Sequence, residues 1–374
     1  MGKSRLTSKP IIFVLPSLSA GGAERIIINL ANEISDSEKV YIAEIQKGGS
    51  LNGLVNDKVT RLNLTSKFVW LFCLIWYVYK FRPCCLVATN FDVNASLLAA
   101  KWLLPKSCAL IIREPVSIYA SQSESRAPAF RYLVFKYLYP FASTLVLLSN
   151  EMKNEFTQLC PKIAPKIKII ANGVNAARIE DIHTEKSSDE YENYLITVCR
   201  LEYQKGLDVL IEAFAKVKER FPDYKLLLVG DGSQKEKLRQ QISSLNLEDN
   251  VKLVGFADNP LPLVKGARFF VLSSRYEGMS NSMLEALCLG VPVIAVKKHT
   301  AADEVIQENV TGFLVNECSA QSLEDVLLRA LARIDSINRD YISNWACSEF
   351  SLTKMINNYR DVFDKYCLLQ GKNI

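Results

Sequence analysis

Short apolar runs rich in Val, Ile and Leu alternate with amphipathic stretches along this chain. In the first half the runs cover residues 11–15, 40–45, 86–89, 109–112 and 144–148. Each has the length of a strand, and their alternation with helical stretches predicts a parallel α/β sheet. The alternation pauses over 175–192 (NAARIEDIHTEKSSDEYE), a charged stretch without an apolar period, as expected of an interdomain linker. It restarts with strand-like runs at 194–199, 225–229, 251–254, 269–273 and 291–295, and the stretch 207–220 between them carries a 3.6-residue apolar repeat. The pattern predicts two doubly wound domains, 1–175 and 193–350, joined by a linker at 176–192. A C-terminal helix near 351–370 is a candidate to pack back on the first domain.

Open α/β sheets bind ligands beyond the carboxyl ends of their strands, so functional residues are expected there. The segments in those places are 16–22, Arg113 with Glu114, Asn172 to Val174, Arg200 and Glu277.

Composition sharpens the picture at three points. Ten cysteines are scattered through apolar runs without a CxxC pair, and the basic start MGKSRLTSKP lacks the apolar core of a signal peptide. The expectation is free, mostly buried thiols in a reducing cytoplasm. The longest apolar run, 68–79 (FVWLFCLIWYVY), is well short of the roughly 20 residues of a spanning helix. It fits either a half-buried helix of an α/β domain or a helix lying at a membrane surface with its Trp and Tyr at the interface. The net charge of +5 is unevenly spread: residues 1–175 hold 21 Lys and Arg against 11 Asp and Glu, a surplus of 10. A basic half with aromatic-rich helices suits an anionic membrane surface, with Arg126, Arg131 and Lys136 interleaved among Phe130, Tyr132, Phe135 and Tyr137. No recognisable nucleic-acid module accompanies that charge.

The densest chemistry lies in 275–285, RYEGMSNSMLE. Ser280 is placed to cap a helix whose free backbone N–H groups form an anion site suited to a phosphate. Glu277 lies in the preceding loop and Glu285 about one turn into the helix, where carboxylates can accept paired hydroxyl groups from a sugar. The same pattern also fits a plain capped helix with acidic residues near its positive end. A second constellation, 200–206 (RLEYQKG), puts Arg200 and Lys205 at a strand-to-helix connection, where they can converge on a diphosphate. Surface charges flanking a helix are the alternative.

Together with SLSAGGAERIIINLAN near the start, VGDG, GFADNP and the full stretch LSSRYEGMSNSMLEALCLGVPVIA, these segments resemble glycosyltransferase family 4, particularly bacterial enzymes that build polysaccharide or lipid-linked glycans. The resemblance runs almost end to end and implies the GT-B fold, two Rossmann-like domains facing across a cleft. It implies a retaining transfer of a hexose or N-acetylhexosamine from a nucleotide sugar to a lipid-linked or oligosaccharide acceptor. By resemblance, Arg200 and Lys205 bind the diphosphate, Glu285 takes the ribose hydroxyls and Glu277 contacts the donor sugar. Gly278, Met279, Ser280 and Asn281 offer backbone groups to sugar and phosphate. Gly21 and Gly22 let the first loop approach the diphosphate, and Gly255 and Phe256 sit in the loop that reads the base, in a form similar to UDP-sugar enzymes. Glu277, Arg200 and Lys205 carry the catalytic roles.

Many members of that family carry a His after an N-domain strand. This chain has IIREPVS instead, which makes Arg113 and Glu114, with Asn172, the candidates for the acceptor and sugar side. The two histidines, His183 and His299, lie in polar stretches and are no obvious replacement. There is no D-x-D sequence, so no metal or other cofactor is expected; Arg200, Lys205 and the helix N-terminus would stabilise the leaving UDP. Attack on the same face as departure would need no protein nucleophile. The expected location is the inner face of the cytoplasmic membrane, held peripherally. Two other classes fit a similar architecture: a nucleotide-sugar epimerase, and an inactive binding subunit that retains the fold.

Overall fold

The computed structural model describes residues 9–19, 21–64, 69–123, 125–184 and 192–368, apart from the side chains of His183, Thr184 and Leu368. Phe68, the part of the expected linker from 185 to 191 and the side chain of His183 therefore lie outside the described residues. The chain divides into two compact units. Unit 1 takes the chain up to Asn172 and again from Thr353, and unit 2 runs from Gly173 to Leu352.

In unit 1 the chain runs β1 (Ile11–Leu15), α1 (Gly22–Ile34), β2 (Val40–Glu44), β3 (Thr60–Asn63), α2 (Trp70–Phe81), β4 (Cys85–Thr89) and α3 (Phe91–Ala99). It continues through β5 (Ala109–Arg113), α4 (Ile118–Ser123), α5 (Pro128–Tyr137), β6 (Thr144–Leu147), α6 (Asn150–Leu159) and β7 (Ile167–Ile169). The seven strands form one parallel sheet in the order β3-β2-β1-β4-β5-β6-β7. Every residue of β1, β2, β4 and β5 is buried, which is why their sequences read as continuous apolar runs rather than as alternation.

Unit 2 begins with α7 (Ala176–Thr184) and continues through β8 (Tyr194–Val198), α8 (Leu207–Arg220), β9 (Lys225–Val229), α9 (Lys235–Ser244), β10 (Val251–Gly255), α10 (Leu261–Gly266) and β11 (Phe269–Leu272). Then follow α11 (Asn281–Cys288), β12 (Val293–Val296), α12 (Ala302–Val305), β13 (Gly312–Val315), α13 (Ala320–Leu331) and α14 (Arg339–Glu349). Its six strands are also parallel, ordered β10-β9-β8-β11-β12-β13. The 3.6-residue repeat of α8 buries Leu207, Leu210, Ile211, Phe214 and Val217 in a core shared with α13 and the sheet. The last helix, α15 (Leu352–Leu368), leaves unit 2 at its first residue and belongs to unit 1 from Thr353 onward.

Three expectations need correction. The stretch taken as a linker carries α7 in its first half. Ile179 and Ile182 are buried three residues apart, and Asn175 Oδ1 accepts from Ala177 N at the helix start. Two isoleucines among charges make too faint a period to read from sequence. Second, the cysteines are not all free, because Cys84 and Cys367 pair as a disulfide with a Cα–Cα distance of 5.5 Å. Only the return of α15 brings these residues together across 283 positions; the other eight cysteines are free. Third, Phe135 is fully buried, so it does not share the outward face of α5 with Phe130 and Tyr137. Among the described residues, no helix is long and apolar enough to cross a membrane.

Candidate functional site

The RLEYQKG and RYEGMSN segments meet in unit 2 beyond the carboxyl ends of β8 and β11. Gly206 makes the approach feasible. Its φ is +62°, and a Cβ there would lie 2.2 Å from the Ser273 carbonyl oxygen, so a larger residue would force the two loops apart. Ser273 Oγ in turn donates to the Lys205 carbonyl at 2.8 Å, and Gln204 Nε2 donates to the Tyr276 carbonyl at 3.0 Å.

Within this frame Lys205 Nζ donates to Glu277 Oε2, and Ser274 Oγ donates to the same carboxylate oxygen at 3.3 Å. Both members of the pair are largely buried, at 12% and 14% side-chain exposure. Burial alone would depress the Lys205 pKa, but the Glu277 carboxylate more than offsets it and the ammonium is held above its ordinary value. The Glu277 loop is fixed by backbone bonds as well: Glu277 N donates to the His299 carbonyl and Ala301 N to that of Gly278. Ser280 caps α11, its Oγ accepting from Met283 N at 3.4 Å. Gly278, Met279 and Ser280 are buried, and Asn281, at the first helical position, is half-buried.

Arg200 is exposed at the start of its loop. That loop is braced by the VGDG turn, since Glu202 accepts from both Ser233 N and Ser233 Oγ and Leu201 N donates to the Asp231 carbonyl. Gly230, at φ +140°, has no room for a side chain because a Cβ would stand 1.9 Å from the Cys199 carbonyl oxygen. Its N–H donates to the Gly255 carbonyl, which ties in the GFADNP turn, where Gly255 has φ +87° and Phe256 is 70% exposed.

Glu285 faces a partner that the sequence did not offer. Arg178, on α7, donates from Nη1 to Glu285 Oε1 at 3.2 Å. It lies in the stretch read as a linker and 107 positions away in sequence, so spacing carried no signal for it. Arg275, the first residue of the acidic motif, turns away from that motif. It makes a two-pronged pair with Asp208 at 2.8 and 2.7 Å and stacks 4.0 Å from the ring centre of Tyr203.

The comparisons fit this geometry. Residues 178–344, the greater part of unit 2 including all of these segments, match the family model described as glycosyl transferases group 1. An alpha-1,4-N-acetyl-D-galactosaminyltransferase of Campylobacter jejuni is 24% identical over 92% of this chain and 95% of its own length; its name gives a diphospho-undecaprenol-linked GalNAc glycan as the molecule it extends. The amylovoran biosynthesis glycosyltransferase AmsK of Erwinia amylovora is 34% identical over 43% of this chain and 44% of its own. The chain is a glycosyltransferase with a group 1 C-terminal domain. Anabaena HepE, solved in complex with UDP-glucose, aligns over 95% of this chain and 99% of its own with a TM-score of 0.77 at 20% identity, a likeness of fold. The two parallel α/β sheets of this glycosyltransferase are thus the GT-B architecture.

In unit 1 of the glycosyltransferase, Gly21 stands at the N-cap of α1 and Gly22 is its first residue. A Cβ on Gly21 would meet only the movable end of the Glu24 side chain, so the steric demand there is mild. Arg113, Glu114 and Asn172, expected on the acceptor side, are turned inward instead. Arg113 is 1% and Glu114 0% exposed. Arg113 donates to Asn172 Oδ1 at 2.8 Å and to Thr89 Oγ1 at 3.4 Å, while Glu114 Oε2 accepts from Tyr139 Oη and, at 3.3 Å, from Asn94 Nδ2. Burial pushes the Glu114 carboxyl up to about 7 against the opposing pull of the Tyr139 and Asn94 hydrogen bonds. The missing signal was the bulk of partners: Asn94 and Tyr139 come from parts of the chain that sequence spacing does not connect to IIREPVS.

Proposed function

We propose that this glycosyltransferase is a retaining enzyme of family 4 that moves a hexose or N-acetylhexosamine from a UDP-sugar to a lipid-linked or polysaccharide acceptor, without a metal ion, at an anionic membrane surface. The observation that carries this is the buried Lys205–Glu277 pair beside the Ser280-capped start of α11. An ammonium and a helix N-terminus in one place suit a diphosphate, whose departure they stabilise electrostatically. Arg200 adds an exposed charge at the start of the same loop. Glu277 is placed to answer positive character at the anomeric carbon, and Glu285 to take ribose hydroxyls. The acceptor hydroxyl attacks the anomeric carbon on the face the UDP leaves from and passes its proton to the leaving phosphate oxygen. The undecaprenol-linked glycan named for the Campylobacter relative supports a lipid-linked acceptor, and the UDP-glucose bound to HepE supports the donor class.

A panel of UDP- and GDP-sugars incubated with a lipid-linked acceptor tests this, with mass analysis of the product and NMR of its new linkage. Arg200→Ala should lower turnover on the order of a hundredfold and Lys205→Ala by more than that, and EDTA should change it little. Strict dependence on added magnesium or manganese, an inverted anomer, or turnover with GDP-sugars alone would each overturn the corresponding part. Product formed from the donor without any acceptor would point to an epimerase.

A further inference from the structure

The strand order of unit 1 decides which helices share a face. Connections from β3 to β4, β4 to β5, β5 to β6 and β6 to β7 all step the same way across the sheet, whereas β1 to β2 steps the other way. Because parallel crossovers are right-handed, α2, α3, α5 and α6 form one layer and α1 lies on the opposite face. Side-chain contacts run through that layer. Tyr79 Oη of α2 donates to the Leu103 carbonyl just after α3 at 3.1 Å, and Phe91 of α3 meets Phe135 of α5 edge-on at 5.3 Å. The returning helix α15 packs beside α1, where Arg360, Phe363 and Asp364 line a small cavity with Ile34, Ser37 and Glu38, so it leaves the α2–α5 layer uncovered.

The outer surface of that layer is unusual. Phe72, Trp76 and Tyr79 project from successive turns of α2, each more than half exposed, while the inner face of the helix buries Leu74 and Val78. Trp102, beside Leu103, is 80% exposed, and Phe130 and Tyr137 of α5 are each 60% exposed. Charge goes with the rings. From residue 69 to 141 there are eight Lys and Arg and only three Asp and Glu, and of these Arg113 and Glu114 are buried. Lys80 Nζ lies 4.6 Å from the Trp76 ring centre, and Lys136 Nζ lies 5.7 Å from that of Tyr137. Amphipathic rings with ammonium groups beside them match the headgroup region of a bilayer, where rings sit at the apolar boundary and cations at the phosphates. A soluble protein partner would favour a surface depleted of lysine at its centre.

We propose that the α2–α3–α5 layer of unit 1 is a single docking face that seats on an anionic lipid bilayer, with Trp76 and Trp102 at headgroup depth. This deepens the membrane part of the proposed function and rests on it. The test uses the full-length enzyme with phosphatidylcholine vesicles and with vesicles that also contain phosphatidylglycerol, some carrying brominated acyl chains that quench tryptophan. The enzyme should partition onto the anionic vesicles, with quenching that drops sharply in Trp76→Phe with Trp102→Phe, to what half-buried Trp70 at the start of α2 contributes, and is kept in Trp345→Phe. Phe72→Ser with Trp76→Ser should lower partitioning by tenfold or more, and Lys80→Ala with Lys136→Ala by on the order of tenfold, while UDP affinity by calorimetry stays unchanged. If the unaltered enzyme ignores anionic vesicles, the membrane reading itself fails. If it binds them but the ring and lysine variants bind equally well, that reading stands and this face is the wrong one. A change from dimer to monomer in the ring variant, with vesicle binding unaltered, would assign the face to a second copy of the chain and overturn the proposal.

Discussion

Changing Glu114 to Gln separates a buried structural carboxyl from an acceptor contact. Glu114 is fully buried; its Oε2 accepts from Tyr139 and Asn94, and its Oε1 has no hydrogen-bond partner among the described residues. In the folded chain its pKa is about 7, against an ordinary 4.5. An acid with a raised folded-state pKa gives its full contribution to stability below the unfolded value, loses it as pH rises through the folded value, and is level above that. The window is therefore about pH 4.5 to 7.5, with stability falling toward the alkaline end. A difference of roughly 2.5 units at about 1.4 kcal/mol each sets an upper limit of about 3–4 kcal/mol. At about 2–4 °C per kcal/mol for a unit of this size, that is on the order of 10 °C in melting temperature. Glutamine keeps an acceptor for Tyr139 and Asn94 and carries no charge to desolvate. Melting curves followed by circular dichroism from pH 5 to pH 8 should therefore meet near pH 5 and diverge upward, with Glu114→Gln the more stable at pH 8. Comparing the variant with the parent cancels the other shifted groups, including Glu38 and Glu155 raised by burial and Asp208 lowered, against its own burial, by Arg275. Parallel curves for the two proteins would refute the assignment. Turnover should change by no more than a few-fold, and its collapse in a stably folded variant would return Glu114 to the acceptor side.

Two further variants probe the donor site. Glu285→Ala should chiefly weaken binding of donor and free UDP, whereas Glu277→Gln should depress kcat strongly and leave UDP affinity nearly unchanged; equal loss of UDP affinity in both would defeat the division of roles. Arg178→Ala should weaken UDP binding by about two- to fivefold with kcat little altered, the size expected when a partly exposed ion pair that orients Glu285 is removed. Calorimetry showing unaltered UDP affinity in Arg178→Ala would make the pair merely structural.

Much of the fold was legible because parallel strands buried on both faces leave unbroken apolar runs; β1 and β9 begin and end where the sequence pattern places them, as does α8. What escaped was polar or short. β3 (TRLN) is an edge strand with one buried residue, and β7 and β13 have only three and four residues. At the site, Ser280 lies where a cap was expected, and Lys205 and Glu277 are in contact, because their segments are local strand-to-helix connections. The buried state of Arg113 and Glu114 could not be read, since it depends on Asn94, Tyr139 and Asn172 arriving from three other connections. Arg275 misled in the opposite direction: it stands inside the motif, yet its guanidinium belongs to Asp208 and the loop frame.

The charges around α11 are already paired within unit 2: Lys205 with Glu277, Arg178 with Glu285, and Arg275 with Asp208. These pairs do not serve alike. The Arg275–Asp208 fork makes two hydrogen bonds, and the same guanidinium stacks on Tyr203, so it ties its loop to α8 and the RLEYQKG segment and a ligand gains nothing by opening it. Lys205 and Glu277 are another matter, because a buried ammonium held by one carboxylate is attracted still more strongly to a diphosphate with two or more negative charges. On the proposed function, the donor diphosphate draws Lys205 toward itself and leaves the Glu277 carboxylate facing the sugar, where it favours positive character at the anomeric carbon. Replacing Lys205 with Ala would then remove the diphosphate contact and also leave Glu277 buried without its cation. Two losses at one position are expected to exceed the loss at exposed Arg200, whose absence leaves no buried charge unpartnered. Steady-state kinetics on both single variants, alongside their melting temperatures, measure that asymmetry. An Arg200→Ala defect equal to that of Lys205→Ala, with melting temperatures unchanged in both, would show that the two cations act on the diphosphate alone.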